Sequence, residues 1–272
     1  MVNSCDSNCK TCDKDCSSKT SVFKAENNIK SNIQKVIGVV SGKGGVGKSL
    51  ITSLLATHTN KMGYKTAILD ADITGPSIPK AFGLEQKART DGESIFPVLT
   101  AEGIKVISIN LMLENPTDPV IWRGPVLAGA VKQFWTDVDW GDIEYMFVDL
   151  PPGTGDVPIT VFQSLPLDGI VLVSTPQELV DMIVEKAVKM TQMLNIPIFG
   201  IVENMSSFKC PDCGKIHRIF GEGLNKKAVN YDIYNSCSMP INPEYARAVD
   251  SGRIEKIEDD IIMKFLTGVL EL

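Results

Sequence analysis

Short apolar runs rich in β-branched residues recur along the chain and alternate with longer stretches of helical periodicity. The apolar runs lie at residues 36–41, 66–70, 145–149, 169–174 and 196–202. The helical stretches lie at residues 51–62, 127–135, 180–194 and 261–270. Such apolar runs are typical of strands buried on both faces, and strands that alternate with helices predict right-handed βαβ units. The pattern therefore predicts an α/β fold with a doubly wound, mostly parallel sheet and helices on both faces.

The beginning of the chain differs from the rest in composition. Residues 1–33 are rich in Ser, Asn, Lys, Asp and Cys, and Phe23 is their only aromatic residue. A segment of this kind cannot bury enough apolar surface to fold unaided. We therefore expect a flexible, Cys-rich tail over residues 1–33 and a single folded domain over residues 34–272, which is long enough for a sizeable core.

The charge balance narrows the range of partners. The 27 Lys and Arg residues against 33 Asp and Glu residues give a net charge of -6, which disfavours long-range attraction to DNA or anionic lipid. The N-terminus contains no apolar run long enough for a signal peptide or a membrane span. We expect a cytoplasmic protein that binds neither nucleic acid nor membrane.

A glycine-rich segment follows the first predicted strand. It reads Gly42-Lys43-Gly44-Gly45-Val46-Gly47-Lys48-Ser49 and fits the pattern G-x(4)-G-K-[ST] between a strand and a helix. In such loops the backbone N–H groups surround phosphate oxygens, the lysine adds positive charge, and the serine hydroxyl binds Mg²⁺. The segment therefore predicts a nucleotide and Mg²⁺ site of P-loop NTPase type; the alternative is a Gly-rich turn without a ligand.

Acidic residues end two further predicted strands. Asp70 and Asp72 follow the second strand, and Asp149 follows four apolar residues at the end of the third. The latter arrangement places a carboxylate beside Mg²⁺ or its water ligand. Of Asp70 and Asp72, we expect one near the metal and one near the attacking water. The alternative for Asp70 is a hydrogen bond to the backbone of the loop. The turn over residues 151–155 is suited to sensing the γ-phosphate, or is an ordinary turn.

A C-x-x-C pair, Cys210 and Cys213, lies in the C-terminal half. Such pairs serve zinc sites, redox pairs and iron–sulfur clusters alike. One pair supplies two thiolates, whereas a 4Fe-4S cluster requires four, so two subunits related by a two-fold axis would complete one shared site. His217 is a nearby alternative ligand or an ordinary surface histidine, and a small zinc knuckle also fits the pair.

The tail contains a second group of thiols. Cys5, Cys9, Cys12 and Cys16 follow the pattern C-x(3)-C-x(2)-C-x(3)-C, which is enough for one complete cluster. The compact spacing favours iron–sulfur over zinc, because zinc ribbons generally use two separated hooks, but zinc remains open. Cys237 stands alone, and we expect it to be a buried, inert thiol.

Lys43 gives the phosphate loop the form K-G-G-x-G-K-S, which resembles the deviant Walker A class of dimeric ATPases. The resemblance implies a homodimer in which Lys43 reaches the nucleotide of the partner subunit, with a solvated loop lysine as the alternative. It also implies that Asp72 orients or activates the attacking water.

Four segments within residues 35–252 resemble the Mrp-type (ApbC-type) iron–sulfur cluster carriers. They are residues 72–79 (DITGPSIP), 122–125 (WRGP), 149–156 (DLPPGTGD) and 203–206 (ENMS), the last of which leads to Cys210 and Cys213. The resemblance implies that Asn204 lies by the adenine ring and that Pro240 and Ile241 flank the base from the other side. It further implies that the C-x-x-C loop near 204–220 holds a labile 4Fe-4S cluster at the dimer interface.

These observations predict an ATP-binding, slowly hydrolysing homodimer that assembles a cluster and transfers it to apo iron–sulfur proteins. The expected catalytic residues are Lys43, Lys48 and Asp72. One alternative is a partitioning or division ATPase, which would need a basic surface for DNA or membrane; the acidic residues 258–260 before the last helix argue against it. The other is a zinc-binding scaffold ATPase.

Overall fold

A computed structural model describes residues 25–72, 75–113, 124–153, 155–221 and 233–272. Its strands are β1 (Asn32–Ser41), β2 (Thr66–Asp70), β3 (Arg89–Thr90), β4 (Ile95–Phe96), β5 (Val98–Leu99), β6 (Lys105–Ser108), β7 (Asp142–Asp149), β8 (Gly169–Ser174), β9 (Ile198–Glu203), β10 (Phe208–Lys209), β11 (Ile216–His217) and β12 (Ser236–Ser238). Eight of these strands form the central sheet in the order β12-β9-β8-β1-β7-β2-β6-β5. Neighbours in this sheet are parallel, except that β5 is antiparallel to β6.

Helices cover both faces of the sheet. They are α1 (Lys48–Lys61), α2 (Ser77–Ala81), α3 (Gly124–Thr136), α4 (Asp156–Ser164), α5 (Glu178–Met193), α6 (Pro243–Asp250) and α7 (Asp260–Leu270). Val36 and Val40 of β1 pack into a core with α3, α4 and α5, whereas Ile37 and Val39 pack into a second core with α1, α2, α6 and α7. Both faces of the central strand are thus buried, and the predicted doubly wound α/β fold is confirmed. None of the described helices has the length and apolar character that a bilayer span requires.

All five predicted strands and all four predicted helices are present, although several boundaries differ. β2 and β8 have the predicted bounds, but β1 begins at Asn32 and α1 begins at Lys48. The added residues are mostly polar, so a hydrophobic pattern does not mark them as part of an element. The pattern also missed β6 and β12, because strands of three or four residues carry too few positions to show a period.

The structure corrects the predicted boundary between tail and domain. Trp135 Nε1 donates to the carbonyl oxygen of Ala25 at 2.9 Å. Ser31 Oγ donates to the carbonyl oxygen of Val138 at 3.1 Å and accepts from the backbone N–H of Trp140 at 2.9 Å. Residues 25–33 therefore pack against the domain, because distant residues supply the hydrogen-bond partners and apolar contacts that their own sequence lacks.

A buried histidine connects the first helix to the last. His58 of α1 is fully buried; its Nδ1 lies 2.8 Å from the carbonyl oxygen of Leu54, and its Nε2 lies 3.1 Å from the backbone nitrogen of Asp259. Because a backbone N–H only donates, Nε2 is the acceptor and the proton of the neutral ring belongs on Nδ1. Asp259 in turn caps α7 through the backbone N–H of Ile262. His58 thus holds the start of α7 against α1.

We expect His58→Ala to lower the free energy of unfolding by about 2–4 kcal/mol, because it opens a cavity and leaves the Asp259 N–H without an acceptor. Chemical denaturation, monitored by circular dichroism, measures the change in the free energy of unfolding. His217→Ala is the matched control: His217 is the other histidine of the chain and is exposed, so its loss should cost less than about 0.5 kcal/mol. Equal costs for the two variants would contradict the proposed link.

Candidate functional site

The segment 42–47 forms a tight loop between β1 and α1. Gly45 and Gly47 have φ angles of 80° and 86°, which glycine adopts far more readily than residues with a side chain. Gly47 is also the N-cap of α1, which begins at Lys48. The loop therefore presents the first backbone N–H groups of a helix, an arrangement that attracts phosphate. This geometry supports the predicted phosphate contacts of residues 42–49.

The loop opens onto a cleft of about 310 Å³. Its lining includes Ser41, Gly44, Gly45, Gly47, Lys48, Ser49, Asp72, Ser77 and Pro152. The hydroxyl of Ser41, at the end of β1, is buried and makes no hydrogen bond within the described residues. Buried polar groups normally have partners. An unpaired hydroxyl beside the N-terminus of a helix therefore fits a site for a phosphate ligand.

Lys48 lies at the base of the cleft between two carboxylates. Its Nζ is 2.8 Å from Asp149 Oδ1 and 3.2 Å from Asp72 Oδ2, and its side chain is only 5% exposed. Burial lowers the pKa of Lys48, but the negative charges of Asp149 and Asp72 outweigh it and raise the pKa above its usual value. The ammonium group is therefore held charged at the position where phosphates are expected.

Asp149 also contacts the first turns of α1. Its Oδ2 accepts from Ser49 Oγ at 2.6 Å, and its Oδ1 accepts from Thr52 Oγ1 at 2.7 Å. A serine hydroxyl beside a strand-end carboxylate is the set of oxygen groups that holds Mg²⁺ and its waters in P-loop proteins. The structure thus brings together the two residues, Ser49 and Asp149, that were predicted as Mg²⁺ ligands.

Asp70 is buried behind these groups. In the parallel register it pairs with Asp149 of β7, its Oδ2 accepts from Ser108 Oγ at 2.8 Å, and its Oδ1 accepts from the backbone N–H of Asp72 at 3.1 Å. Burial and the nearby charge of Asp149 raise the pKa of Asp70 well above its usual value. Asp70 is therefore a hydrogen-bonding support for the loop after β2, which was the alternative role considered for it.

The other predicted nucleotide residues lie around the loop. Lys43 Nζ donates to Gln177 Oε1 of the same chain, and its reach to a partner subunit stays a prediction. Asn204 is 3% exposed, and its Nδ2 donates to the carbonyl oxygen of Val46 at 2.9 Å. Pro240 follows β12 and is half-buried. Contacts of Asn204 and Pro240 with a base likewise stay predictions.

The predicted cysteine pair lies in a small hairpin formed by β10 and β11. The backbone N–H of Cys210 donates to the carbonyl oxygen of Lys215, and that of Gly214 donates to the carbonyl oxygen of Cys210, both at 2.9 Å. Gly214 has a φ of 70°, which a tight turn of this kind requires. The hairpin therefore presents Cys210 and the exposed Cys213 at its tip.

The local backbone favours a thiolate at Cys210. The N–H groups of Cys213 and, to a smaller extent, Asp212 point towards its sulfur and lower its pKa. Cys237 has the opposite environment, because burial, followed by the charges of Asp259 and Glu203, raises its pKa to about 12. Since metals bind thiolates, the hairpin pair is suited to a metal and Cys237 is not.

Two thiols do not complete a metal site. Within the part of the chain that the structure describes, no group of three or more His, Cys, Asp or Glu side chains is arranged to hold a metal ion. His217 pairs with Phe208 across the hairpin and is exposed. Several predicted positions lie outside the described residues: Cys5, Cys9, Cys12, Cys16, Ile73, Thr74, Trp122, Arg123 and Thr154.

Several site residues were not predicted, among them Ser41, whose buried hydroxyl lines the cleft. Thr52 follows Ser49 by one helical turn, so helical spacing could have suggested that it reaches the same carboxylate. Ser108 and Gln177 contact Asp70 and Lys43 across 38 and 134 residues of sequence. No local pattern signals contacts between residues so far apart.

Comparison with known proteins agrees with this site. A family model described as the NUBPL iron-transfer P-loop NTPase, of the ParA group, matches residues 32–270. The iron-sulfur cluster carrier protein of Clostridium perfringens is 45% identical over 83% of this chain and 82% of its own length. The protein of the same name from Methanocaldococcus jannaschii is 47% identical over 82% of this chain and 80% of its own length.

A solved structure gives the same result. The nucleotide-binding protein of Archaeoglobus fulgidus, in complex with ADP, has a TM-score of 0.76 and 45% identity, and the match covers 84% of this chain and 90% of that one. The family model matches residues 32–270, and the two relatives are 45% and 47% identical to the chain over 83% and 82% of its length. The chain therefore belongs to the iron-transfer P-loop NTPase family, as the motifs in its sequence predicted.

Proposed function

We propose that this protein binds ATP with Mg²⁺, hydrolyses it slowly as a switch, and carries a 4Fe-4S cluster to apo iron–sulfur proteins. The observation that carries the proposal is the presence of a complete phosphate loop and a thiolate-stabilising C-x-x-C hairpin in one domain. Relatives that share most of the chain are named iron-sulfur cluster carrier proteins, which supports the identity of the cargo.

The residues around Lys48 account for the nucleotide part of this function. Ser49 and Asp149 would hold Mg²⁺ from the protein side, and the bound ion would supply positive charge against the phosphate oxygens. Lys48 exchanges its contact with Asp72 for phosphate oxygens. The Asp72 carboxylate then becomes available to orient the attacking water and to accept its proton.

The cysteine hairpin accounts for the cargo. Cys210 and Cys213 provide two thiolates, and a second copy of the chain provides the other two that a 4Fe-4S cluster requires. A two-fold axis close to the hairpin would bring the two pairs together. The cluster is therefore shared between subunits, and a homodimer is the form that carries it. Cys5, Cys9, Cys12 and Cys16 lie outside the described residues, and their binding of a cluster or of zinc stays a prediction.

An exposed apolar patch beside the hairpin supports this dimer. Ile216 is 64% exposed, Ile219 is 58% exposed and Phe220 is 37% exposed. Exposed large apolar side chains so close together in the sequence are typical of protein interfaces. A patch next to a half-complete cluster site is suited to a second copy of the same chain, whose Cys210 and Cys213 complete the site. Lys43 leaves Gln177 in this dimer and contacts the nucleotide of the partner subunit.

The central test separates the residues needed for cluster transfer from those needed for ATP turnover. We expect the double variant Cys210→Ala/Cys213→Ala to lose cluster transfer to an apo iron–sulfur enzyme while it keeps ATP binding within about twofold of the wild type. Lys48→Ala should do the reverse, with ATP turnover reduced at least ~100-fold and cluster loading intact. Anaerobic reconstitution, metal and sulfide analysis, and activation of the apo-enzyme provide the measurements.

Cys237→Ala serves as the control for this test and should transfer the cluster normally. Any iron that the N-terminal cysteines bind would remain in the double variant, so transfer rather than iron content is the decisive measurement. If the wild-type protein takes up stoichiometric zinc, forms no cluster with iron and sulfide and activates no apo-enzyme, the zinc-scaffold alternative is correct instead.

Thiol chemistry provides a second test on the metal-free protein. At about pH 7, iodoacetamide should label Cys210 faster than a free cysteine derivative, because a lowered pKa gives a larger thiolate fraction. Cys237, with a pKa of about 12, should be labelled slowly at that pH, and its rate should rise as the pH increases towards its pKa. Peptide mapping by mass spectrometry follows each site. Equal rates for Cys210 and Cys237 at neutral pH would contradict the assignment.

A third test addresses the dimer. A charge at Ile216, introduced as Ile216→Asp, should shift the ATP-bound, cluster-loaded protein towards monomer by at least about tenfold in dissociation constant, because the charge would be buried at the interface. Analytical ultracentrifugation measures this shift. Leu99→Asp is the matched control, because Leu99 is 58% exposed and lies on β5, away from the hairpin. A dimer that tolerates Ile216→Asp but not Leu99→Asp would locate the interface elsewhere.

A further inference from the structure

The side chain of Asn204 lies directly against the phosphate loop. Asn204 follows β9, and its backbone N–H donates to the carbonyl oxygen of Ser174 at 2.8 Å. Its Nδ2 donates to the carbonyl oxygen of Val46 at 2.9 Å, and its Oδ1 accepts from the backbone N–H of Met205 at 2.9 Å. Asn204 as a whole is 3% exposed, so these hydrogen bonds lie in a site shielded from water, where they are stronger than in water.

The hydrogen bond to Val46 determines the direction of a neighbouring donor. In a trans peptide the carbonyl group and the following N–H point to opposite sides, and the described chain contains no cis peptide. Because Asn204 holds the Val46 carbonyl on one side, the N–H of Gly47 is directed to the other. Gly47 lines the cleft beside Lys48. Asn204 therefore orients one of the backbone donors that phosphate would contact.

The packing around Gly47 makes this contact tight. A Cβ atom at Gly47 would lie 2.3 Å from Asn204 Nδ2, which is far inside van der Waals contact. The φ of 86° also favours glycine at this position. The loop therefore cannot move towards β9 at this point unless Asn204 moves with it.

The backbone that starts at Asn204 reaches Cys210 of the hairpin six residues later. Met205 has a φ of 58°, an uncommon conformation for a residue with a side chain. The N–H and Oγ of Ser206 both donate to the carbonyl oxygen of Met239 at 2.9 Å, and the N–H of Ile241 donates to the carbonyl oxygen of Ser207 at 2.7 Å. Phe208, which forms a bridge with Ile241, then begins β10.

We propose that Asn204 is a positioning residue that couples the phosphate loop to the Cys210–Cys213 hairpin. Its side chain orients the Val46–Gly47 peptide towards the nucleotide phosphates, and its backbone begins the hydrogen-bonded segment that carries the cysteines. The proposal rests on the proposed function in one respect, namely that the hairpin carries the cargo. It gives Asn204 a role towards phosphate, which differs from a contact with the adenine base.

Linkage makes the coupling reciprocal. Phosphate bound to the Gly47 N–H polarises the Val46–Gly47 peptide and strengthens its hydrogen bond to Asn204. A more firmly held Asn204 restricts Met205 and the segment that follows. By the same linkage, a group that binds the hairpin in the conformation favoured by nucleotide increases the affinity for nucleotide. The factor equals the one by which nucleotide increases the affinity for that group.

The first test compares ATP with pyrophosphate, which has phosphates but no base. We expect Asn204→Ala to weaken Mg²⁺-dependent binding of both ligands by about tenfold, because one oriented donor is lost. Asn204→Asp, which has nearly the same shape, should weaken both at least as much, since its carboxylate faces the Val46 carbonyl oxygen. Competition with a fluorescent ATP analogue measures both affinities. Weaker ATP binding with unchanged pyrophosphate binding would identify a base contact and overturn the proposal.

Asn60→Ala is the matched control, because Asn60 Nδ2 also donates to a backbone carbonyl, that of Glu102 at 3.0 Å, but at the other end of α1. It should leave both affinities within about twofold of the wild type. If the Asn204 variants do not fold, amide hydrogen exchange of the wild-type protein tests the proposal instead. Pyrophosphate should slow exchange over residues 204–210, and unchanged exchange there would overturn the proposal.

The second test follows the cysteines. In the metal-free wild type, Mg²⁺-pyrophosphate should change the rate at which iodoacetamide labels Cys213 by about fivefold, the lower end of typical coupling between sites. In Asn204→Ala, at saturating ligand, this change should disappear; an unchanged response would overturn the proposal. None of these measurements uses iron, so they hold or fail independently of the cluster-transfer experiment, which tests the proposed function itself.

Discussion

The buried ammonium group of Lys48 and the two carboxylates around it join the parts of this protein that bind nucleotide. Asp149 ends β7, Asp72 follows β2, and Lys48 begins α1. Burying these charges is unfavourable unless they remain paired, so the three elements must meet at this point. The parallel register pairs Asp70 with Asp149, and a shift of one residue would turn either carboxylate to the opposite face of the sheet.

The cysteine hairpin depends on the same sheet but lies outside it. β9 pairs with β8 and β12, and its carboxyl end leads past the phosphate loop into the hairpin. The cysteine hairpin and the phosphate loop are therefore connected by a short segment rather than by a domain interface. The hairpin holds only two thiols, so the hairpin of one copy cannot by itself supply the four thiolates of a 4Fe-4S cluster. This incomplete site and the exposed Ile216 beside it are the physical reasons to expect a dimer.

The fold was largely predictable from the sequence, and the reason is visible in β1. Its residues 36–41 are apolar on both faces, because Val36 and Val40 enter one core while Ile37 and Val39 enter the other. The continuous apolar run of β1 therefore indicates that this strand lies in the centre of the sheet, with both faces buried. Residues 25–33 show the opposite case, since their polar composition gave no indication that Trp135 and Val138 would hold them against the domain.

The phosphate loop and the cysteine pair were recognisable in the sequence because each motif consists of residues that are close together in the chain. Within each motif, the short backbone between its residues allows few arrangements. The contacts of Lys43 with Gln177 and of Asn204 with Val46 span 134 and 158 residues. Such contacts arise only when the parallel strands bring the ends of distant segments to one edge of the sheet. The local sequence therefore determines the chemistry of each motif. The arrangement of the motifs relative to one another follows from the packing of the sheet.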